Sequence, residues 1–510
     1  MVETKTAPHH AWRKIAKWKV GYTNACIDCG LCVLACPYDV HRRNPATLRM
    51  AAPQSSACIG PKCEQIHPVN YCVKQCPYDA IQIMPNEEFD LLGDQRYPAD
   101  LLASLWHMAE HAKAPPEHLY ERRIGNSGGG FDRLRFRFQK PKSSKPSSTD
   151  LDAVSIGLDL NKRNFGPKIR INVPWYGGGM SYGSVSLNVM MARAMAAKAW
   201  NTFTSTGEGG YPKELTPWKD HIITQVATGM FGVREETVGW ARLVEIKYAQ
   251  GAKPGLGGHL LSDKNTPDVA RMREAVPYTS LFSPFPFHSV YSVEDHKKHV
   301  DWMRAMGDSV RSLSQEIKTK DGAEEILVSA KVSTPVDVDM VAVGCYYGGV
   351  NIVHLDGSYG GTGAAPDIAK KNIAMPIEYA VPKVHRFLQE EGIRDEITLI
   401  ASGGARTAWD IAKAVALGAD GCVIGTTDIV AVNCTRCGNC EKGRGCQHGI
   451  ASTDPEFTQQ ISPEWGAQRI VNLYQAMSLE LKEILWRLGL KSIQELRGRY
   501  DLMYYVDGHV

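Results

Sequence analysis

Nowhere in its 510 residues does the chain carry a run of eighteen apolar residues, so no segment is long enough to cross a bilayer as a helix. Charge of one sign is scarce as well. The 58 Lys and Arg outnumber the 55 Asp and Glu by only +3, too small a surplus to imply a nucleic-acid partner. The opening residues, MVETKTAPHHAWRKIAKW, hold no apolar signal core, and a cytoplasmic location is expected. No G-x-G-x-x-G fingerprint follows a strand, opens a helix and precedes a downstream acid, which removes the usual nicotinamide-binding unit. At 43% hydrophobic and 22% charged residues the composition is that of a globular chain, able to bury one large core and smaller units.

Cysteine is what the chain has in quantity. Fourteen of them in a reducing compartment read as metal ligands rather than disulfides. Twelve fall in three clusters, while Cys345 and Cys422 sit singly in apolar segments and read as small buried hydrophobes. The first cluster, CIDCGLCVLACP, sets Cys26, Cys29, Cys32 and Cys36 in the C-x2-C-x2-C-x3-C-P run of two-cluster ferredoxins. In that pattern three thiolates wrap one iron–sulfur cube and the fourth reaches the other. Zinc, the alternative, favours paired C-x2-4-C units and has no use for the closing C-P. The second cluster, CIGPKCEQIHPVNYCVKQCP, holds Cys58, Cys63, Cys72 and Cys76 at stretched spacings. CPYDV and CPYDAIQI repeat each other 40 residues apart, the internal symmetry of a ferredoxin module. Crossing over assigns one [4Fe–4S] cube to Cys26, Cys29, Cys32 and Cys76, and another to Cys58, Cys63, Cys72 and Cys36. The third cluster, CTRCGNCEKGRGC, holds Cys434, Cys437, Cys440 and Cys446.

From residue 166 short β-branched runs alternate with longer amphipathic stretches. IRINVPWY, NTFTSTGEGG, LVEIKYAQGA, TSLFSPF, EILVSAKVS, NIVHLDGS, EITLIASGG and GCVIGTT are eight strand candidates, with helix-like segments such as 186 to 199, 293 to 318 and 407 to 417 between them. This pattern predicts an α/β fold, a (β/α)8 TIM barrel, with a doubly wound sheet as the alternative. The strand ends favour the barrel, because GGGMSYGS, STGEGG, QGAKPGLGGH, DGSYGGTGAAP, SGGAR and GTT all lie where a barrel gathers its functional groups. Glycine there lets backbone N–H groups approach a phosphate or a flat ring. SGGAR and GTT occupy the phosphate-grip position after the last two strands, and FMN fits best, since a flavin takes electrons singly from iron–sulfur clusters and passes them on as hydride. The expected organisation is a two-cluster ferredoxin-like unit (1–90), a connecting segment (91–165) containing the Pro, Ser and Lys-rich RFQKPKSSKPSSTDLD, the barrel (166–430), a cysteine loop (431–450) and C-terminal helices (451–510) packed back on the barrel.

In this order MSYGSVS, STGEGG, QGAKPGLGG, DGSYGGTGA, the SGGAR and GADGCVIGT pair, and the cysteine loop followed by GIAS resemble the FMN-binding domain of glutamate synthases. With its ferredoxin module in front, the chain is similar to the archaeal-type synthase subunit. The resemblance implies an oxidoreductase that forms glutamate by reductive amination of 2-oxoglutarate, in which ammonia gives 2-iminoglutarate and hydride from FMN reduces it. It places Met180, Ser181, Glu208, Lys331, Gly360, Gly361, Gly403, Gly404, Gly425 and Thr426 around FMN. Gln250, Lys253 and Arg273 are placed on 2-oxoglutarate, and a dicarboxylate does call for a guanidinium fork and an ammonium. Glu208 and Lys253 are the candidate catalytic groups.

The cysteine loop then reads as a third cluster beside the flavin. Better-known members use three cysteines spaced C-x5-C-x4-C for [3Fe–4S]; here Cys437 is added and five residues separate Cys440 from Cys446, so ligation by Cys437 is undecided and [3Fe–4S], [4Fe–4S] and a zinc site all stay open. Other departures are Leu256 and His259 for Glu and Gln, and Phe285, Phe287 and Ser289 for Pro, His and Asp, all expected at the ends of strands three and four. They keep two alternatives open: an N-methylglutamate synthase using methylamine, and a flavin and iron–sulfur relay subunit. The family's glutaminase needs an N-terminal cysteine that Met1-Val2 does not offer. A separate glutaminase and an electron-donor subunit, or free ammonia and ferredoxin, are therefore the expected partners within a hetero-oligomer.

Overall fold

The computed structural model describes residues 2–10, 15–120, 130–141, 144–254, 258–285, 287–288, 290–313, 326–442 and 444–506. Eight parallel strands form its centre: β1 (Trp175–Gly177), β2 (Thr204–Ser205), β3 (Ile222–Ala227), β4 (Leu243–Lys247), β5 (Leu327–Ser333), β6 (Ile352–Asp356), β7 (Thr398–Ser402) and β8 (Gly421–Ile424). Round the sheet they run β1-β8-β7-β6-β5-β4-β3-β2. The two ends meet where Gly177 N–H donates to Phe203 O at 2.8 Å and Gly179 bridges Ser205, which closes the (β/α)8 barrel.

Period-two alternation explains why these runs close rather than stack. In β4, Val244 and Ile246 join the apolar layer under the helices, while Leu243 joins a second cluster inside the barrel. That inner cluster takes Tyr176, Phe203, Ile223, Leu243, Leu327, Ile352, Ile400 and Val423 from or beside all eight strands. Below it, an antiparallel pair, Leu158–Asp159 with Arg170–Ile171, contributes Leu158, Leu160, Ile169 and Ile171 as a floor. Further up the strands the inward positions turn polar: Glu245 and Lys247, Ser329 and Lys331, His354 and Asp356. The shaft is thus greasy at its base and charged at its mouth.

Eight strands were expected and eight are found, with one exchange. TSLFSPF is not in the barrel: Leu281–Phe282 pairs antiparallel with His259–Leu260 as a small outer ribbon. Phe282 is 68% exposed there, and the neighbouring prolines at 284 and 286 cannot donate to a central ladder. The missing strand is β3, IITQVA, buried at every position. His259 therefore still follows LVEIK, third of the sequence candidates and β4 of the barrel, whereas Phe285 follows the outer ribbon rather than a barrel strand, and Leu256 and Ser289 lie outside the described residues.

The helices follow the sequence pattern closely. Leu187–Ala199 opens on Ser186, whose side chain accepts from Val189 N, and Ala408–Ala416 on Thr407, which accepts from Asp410 N. Val293–Leu313 fills most of 293 to 318; residues 314–318 lie outside the described residues. The long Pro463–Arg487 helix packs on Leu187–Ala199 and on Ala99–His111, as C-terminal helices folded back on the barrel. RFQKPKSSKPSSTDLD, read as a linker or strap, follows Leu134–Phe136, which pairs with Met503–Tyr505; its Arg137 N–H donates to Leu502 O at 2.8 Å, and Ser147 with Asp150 forms a capping box on Ser148–Asp152.

Ahead of the barrel, Trp18–Tyr22 and Ile81–Pro85 form an antiparallel pair that brackets the first eight clustered cysteines. Cys32, Cys72 and Ile81 pack there as one small buried cluster. Among the described residues no helix is long and apolar enough to cross a membrane.

Candidate active site

One cavity of about 660 Å³ opens at the carboxyl ends of the barrel strands. Met180, Ser181, Glu208, Gln250, Lys253, Arg273, Lys331, Gly360, Gly361, Gly403, Gly404, Gly425 and Thr426 all line it, so every sequence-derived cofactor and substrate position is brought to one place. Cys434, Cys437, Cys440 and Cys446 line the same cavity. Seven cationic side chains face four anionic ones across it, a surplus that suits an anionic ligand.

The charged groups are held by the polar upper turn of the shaft. Lys247 Nζ donates to Glu208 Oε2 at 2.9 Å and to Gln250 Oε1 at 3.0 Å. Burial alone would raise the Glu208 carboxyl, but Lys247, then Lys253 and Arg273, outweigh it and bring it to about 2. Glu208 is therefore an anion at every physiological pH, suited to ordering cations rather than to giving up a proton. Arg273 Nη2 donates to Ser181 Oγ at 2.9 Å and Tyr182 O at 3.0 Å, leaving its buried Nε with no hydrogen-bond partner among the described residues. Burial, opposed by Glu208, lowers it to about 10. Lys253 is 4% exposed, and burial lowers its ammonium too. Two buried cations with free donor capacity are what a dicarboxylate needs.

Deeper in the shaft runs a network the sequence reading missed. Gln225 Nε2 donates to Glu245 Oε1 at 2.7 Å, and Glu245 Oε2 lies 2.8 Å from His354 Nδ1. His354 Nε2 meets Ser402 Oγ at 2.7 Å, and Ser402 donates to Asp356 Oδ1 at 2.6 Å. Ser402 uses its one proton on Asp356, so both ring nitrogens of His354 face acceptors. Asp356 Oδ2 pairs with Lys331 Nζ at 3.3 Å. Burial would lower Lys331; Asp356 and Glu245 outweigh it and hold the ammonium protonated. A signal was present: LVEIK, LVSAKVS and IVHLD carry a polar residue at every second position within otherwise apolar runs.

In the N-terminal unit, Cys26, Cys29, Cys32 and Cys76 border one cavity and Cys36, Cys58, Cys63 and Cys72 another of about 190 Å³. This is the crossed partition. The sulfurs surround spaces rather than a point: among the described residues no three His, Cys, Asp or Glu side chains are arranged to hold a single ion. Burial pushes the Cys72 thiol up to about 12 and Cys434 up to about 12, so each would carry its proton until a metal displaced it. The cysteine loop is anchored from outside by Asp94, whose Oδ2 accepts Arg436 Nε at 2.8 Å, and by Gly93 N–H donating to Thr435 O at 3.2 Å. Of the departures, His259 lines the main cavity. Phe285 borders a small side pocket with Glu208 and Lys253, and Phe287 turns away to pack on Tyr248 and His299.

Comparison with known proteins bears on the whole of this arrangement. The family model described as the conserved region in glutamate synthase matches residues 131–491, and that of the 4Fe-4S binding domain matches residues 21–40. The chain belongs to the glutamate synthase family. An archaeal-type glutamate synthase (NADPH) of Thermotoga sp. is 34% identical over 499 residues, covering 95% of this chain and 93% of that one. The archaeal glutamate synthase (NADPH) of Methanocaldococcus jannaschii is 41% identical over 352 residues, 69% of this chain and 66% of that one. The glutamate synthase (NADPH) large chain of Azospirillum brasilense is 34% identical over 342 residues, which are 64% of this chain and 21% of that much longer one. Against the large chain, the glutamate synthase likeness is confined to a part; against the Thermotoga protein, matched over 95% of this chain, it takes in the ferredoxin-like unit as well.

Proposed function

We propose that this chain is the synthase subunit of a glutamate synthase, forming glutamate by reductive amination of 2-oxoglutarate with ammonia. One observation carries the reading: a single cavity is lined at once by the glycine-rich rim, the Lys253 and Arg273 cations and the four cysteines of the 434–446 loop. The rim suits FMN, the two N-terminal cavities suit [4Fe–4S] cubes, and the loop suits a further [3Fe–4S] or [4Fe–4S] cluster. Bound there, FMN would take electrons singly from the clusters and supply hydride to the substrate carbon.

The chain's own residues would do the rest. Arg273 and Lys253 bind the two carboxylates and fix the 2-oxo carbon, and alignment of this kind can lower a barrier by roughly 7 kcal/mol. Glu208 keeps Lys247, Lys253 and Arg273 in place and carries a permanent negative charge that favours a cationic iminium over the neutral ketone. Lys331, fixed by Asp356, presents a stable positive charge under the glycine rim. Ammonia and reducing equivalents would come from a glutaminase and an electron donor on other polypeptides, or as free ammonium and ferredoxin. In the test, full-length protein purified without oxygen is reduced with dithionite and given 2-oxoglutarate with ammonium or with methylamine. Glutamate formation with reoxidation of the visible spectrum is expected. Turnover with methylamine alone, or a spectrum inert to both, would refute the proposal.

A further inference from the structure

Arg406, the arginine of SGGAR after β7, is engaged away from the cavity. Arg406 Nη2 lies 2.7 Å from Asp132 Oδ1 and its Nε 2.8 Å from Asp410 Oδ2, behind the loop. A different guanidinium faces the cavity at this rim. Arg96, 7% exposed and far from the barrel in sequence, lines the cavity with Gly403, Gly404 and Thr426. Its Nη2 approaches Gly404 O at 3.4 Å, and its Cζ lies 4.3 Å from the centroid of the Tyr359 ring. Gly404 permits the approach: its φ is +106°, and a Cβ there would stand 2.6 Å from Arg96 Nη2.

The backbone around Arg96 is fixed on several sides. Asp94 Oδ1 accepts from Arg96 N at 2.9 Å and Tyr97 N at 2.8 Å, making a tight turn. Arg406 Nη1 donates to Arg96 O at 3.1 Å, so the arginine behind the loop positions the one that lines the cavity. Tyr97 OH meets Thr427 Oγ1 at 3.1 Å. The other oxygen of Asp94 holds Arg436 in the cysteine loop.

We propose that Arg96, delivered by the segment that follows the ferredoxin-like unit, binds the phosphate monoester of the barrel cofactor and completes a grip otherwise made of glycine backbone. The inference rests on the FMN reading above and adds a binding residue from outside the barrel. It makes retention of the cofactor depend on the same turn that anchors the cysteine loop.

The test separates this from the flavin reading itself. Full-length protein stripped of flavin is titrated with FMN and with riboflavin, which lacks the phosphate, following flavin fluorescence. Wild type should prefer FMN. Arg96→Gln should weaken FMN by roughly 10- to 100-fold and leave riboflavin unchanged, and Arg96→Lys should recover part of the preference. If wild type binds neither flavin, the cofactor reading fails. Equal FMN affinity in wild type and Arg96→Gln would overturn the role of Arg96, as would equal weakening of both flavins or loss of folding in both variants, which would make Arg96 structural.

Discussion

Arg273→Lys keeps a positive charge at the cavity and removes the fork. In the structure, Nη2 is engaged by Ser181 Oγ at 2.9 Å and Tyr182 O at 3.0 Å, so Nε is the buried donor left for a ligand carboxylate. A lysine ammonium cannot satisfy Ser181, Tyr182 and a carboxylate in the same directions, and at least one charge-assisted hydrogen bond to the substrate is lost. Such a bond is worth about 1.5–3 kcal/mol, which translates to a roughly 10- to 150-fold rise in Kd for 2-oxoglutarate. Calorimetric titration of the full-length protein reads it directly, with flavin content and unfolding midpoint as controls for damage at a distance. In wild type, affinity should hold across neutral pH, because Arg273, although burial lowers it to about 10, keeps its proton there. A change of less than about threefold in a variant that folds and keeps its flavin would show that Arg273 does not hold the substrate.

Two further outcomes follow from the same geometry. Serine replacements should sort by cavity: Cys29→Ser and Cys76→Ser should perturb one cluster signal in electron paramagnetic resonance, and Cys36→Ser and Cys63→Ser the other. Perturbation of the same signal by Cys32→Ser and Cys36→Ser would break the crossed partition. Glu208 gives a stability slope in acid. Its carboxyl is held at about 2 in the folded chain against a model-peptide value of roughly 4.3, so its ion pair with Lys247 stabilises above that value and is lost as pH falls towards 2. The contribution is roughly 3 kcal/mol, and Lys247→Met should flatten the denaturant midpoint over that window. An unchanged slope would remove Lys247 as the partner.

The parts legible in the sequence were those whose chemistry is local. Cysteine spacing marks the ferredoxin-like unit, whose 4Fe-4S binding-domain match falls on residues 21–40, and the glycine-rich rims mark strand ends whatever the strands pair with. What stayed hidden depends on both faces of a strand being buried. Glu245, His354 and Asp356 alternate with apolar residues just as a half-exposed strand would, and only closure of the barrel turns that polar face into an interior. β3 was lost because β2 is two residues long and the intervening Lys213–His221 is a kinked 3-10 stretch containing Pro217, so IITQVA lacked a recognisable βα spacing. Arg96 sits in LLGDQRYPAD, where nothing marks it, because its role comes from a contact made 308 residues away.

The apolar floor under the shaft has a consequence for traffic. Leu158, Leu160, Ile169 and Ile171 cover the lower end with hydrocarbon, so among the described residues the Gln225–Glu245–His354–Ser402–Asp356 chain meets polar surroundings on its upper side, where Gln225, Ser402 and Asp356 line the cavity. A proton that chain gains or releases has its polar route through the upper opening, past the place a ligand would occupy. A seated ligand would act as a stopper, freezing the protonation state beneath it for the length of a turnover.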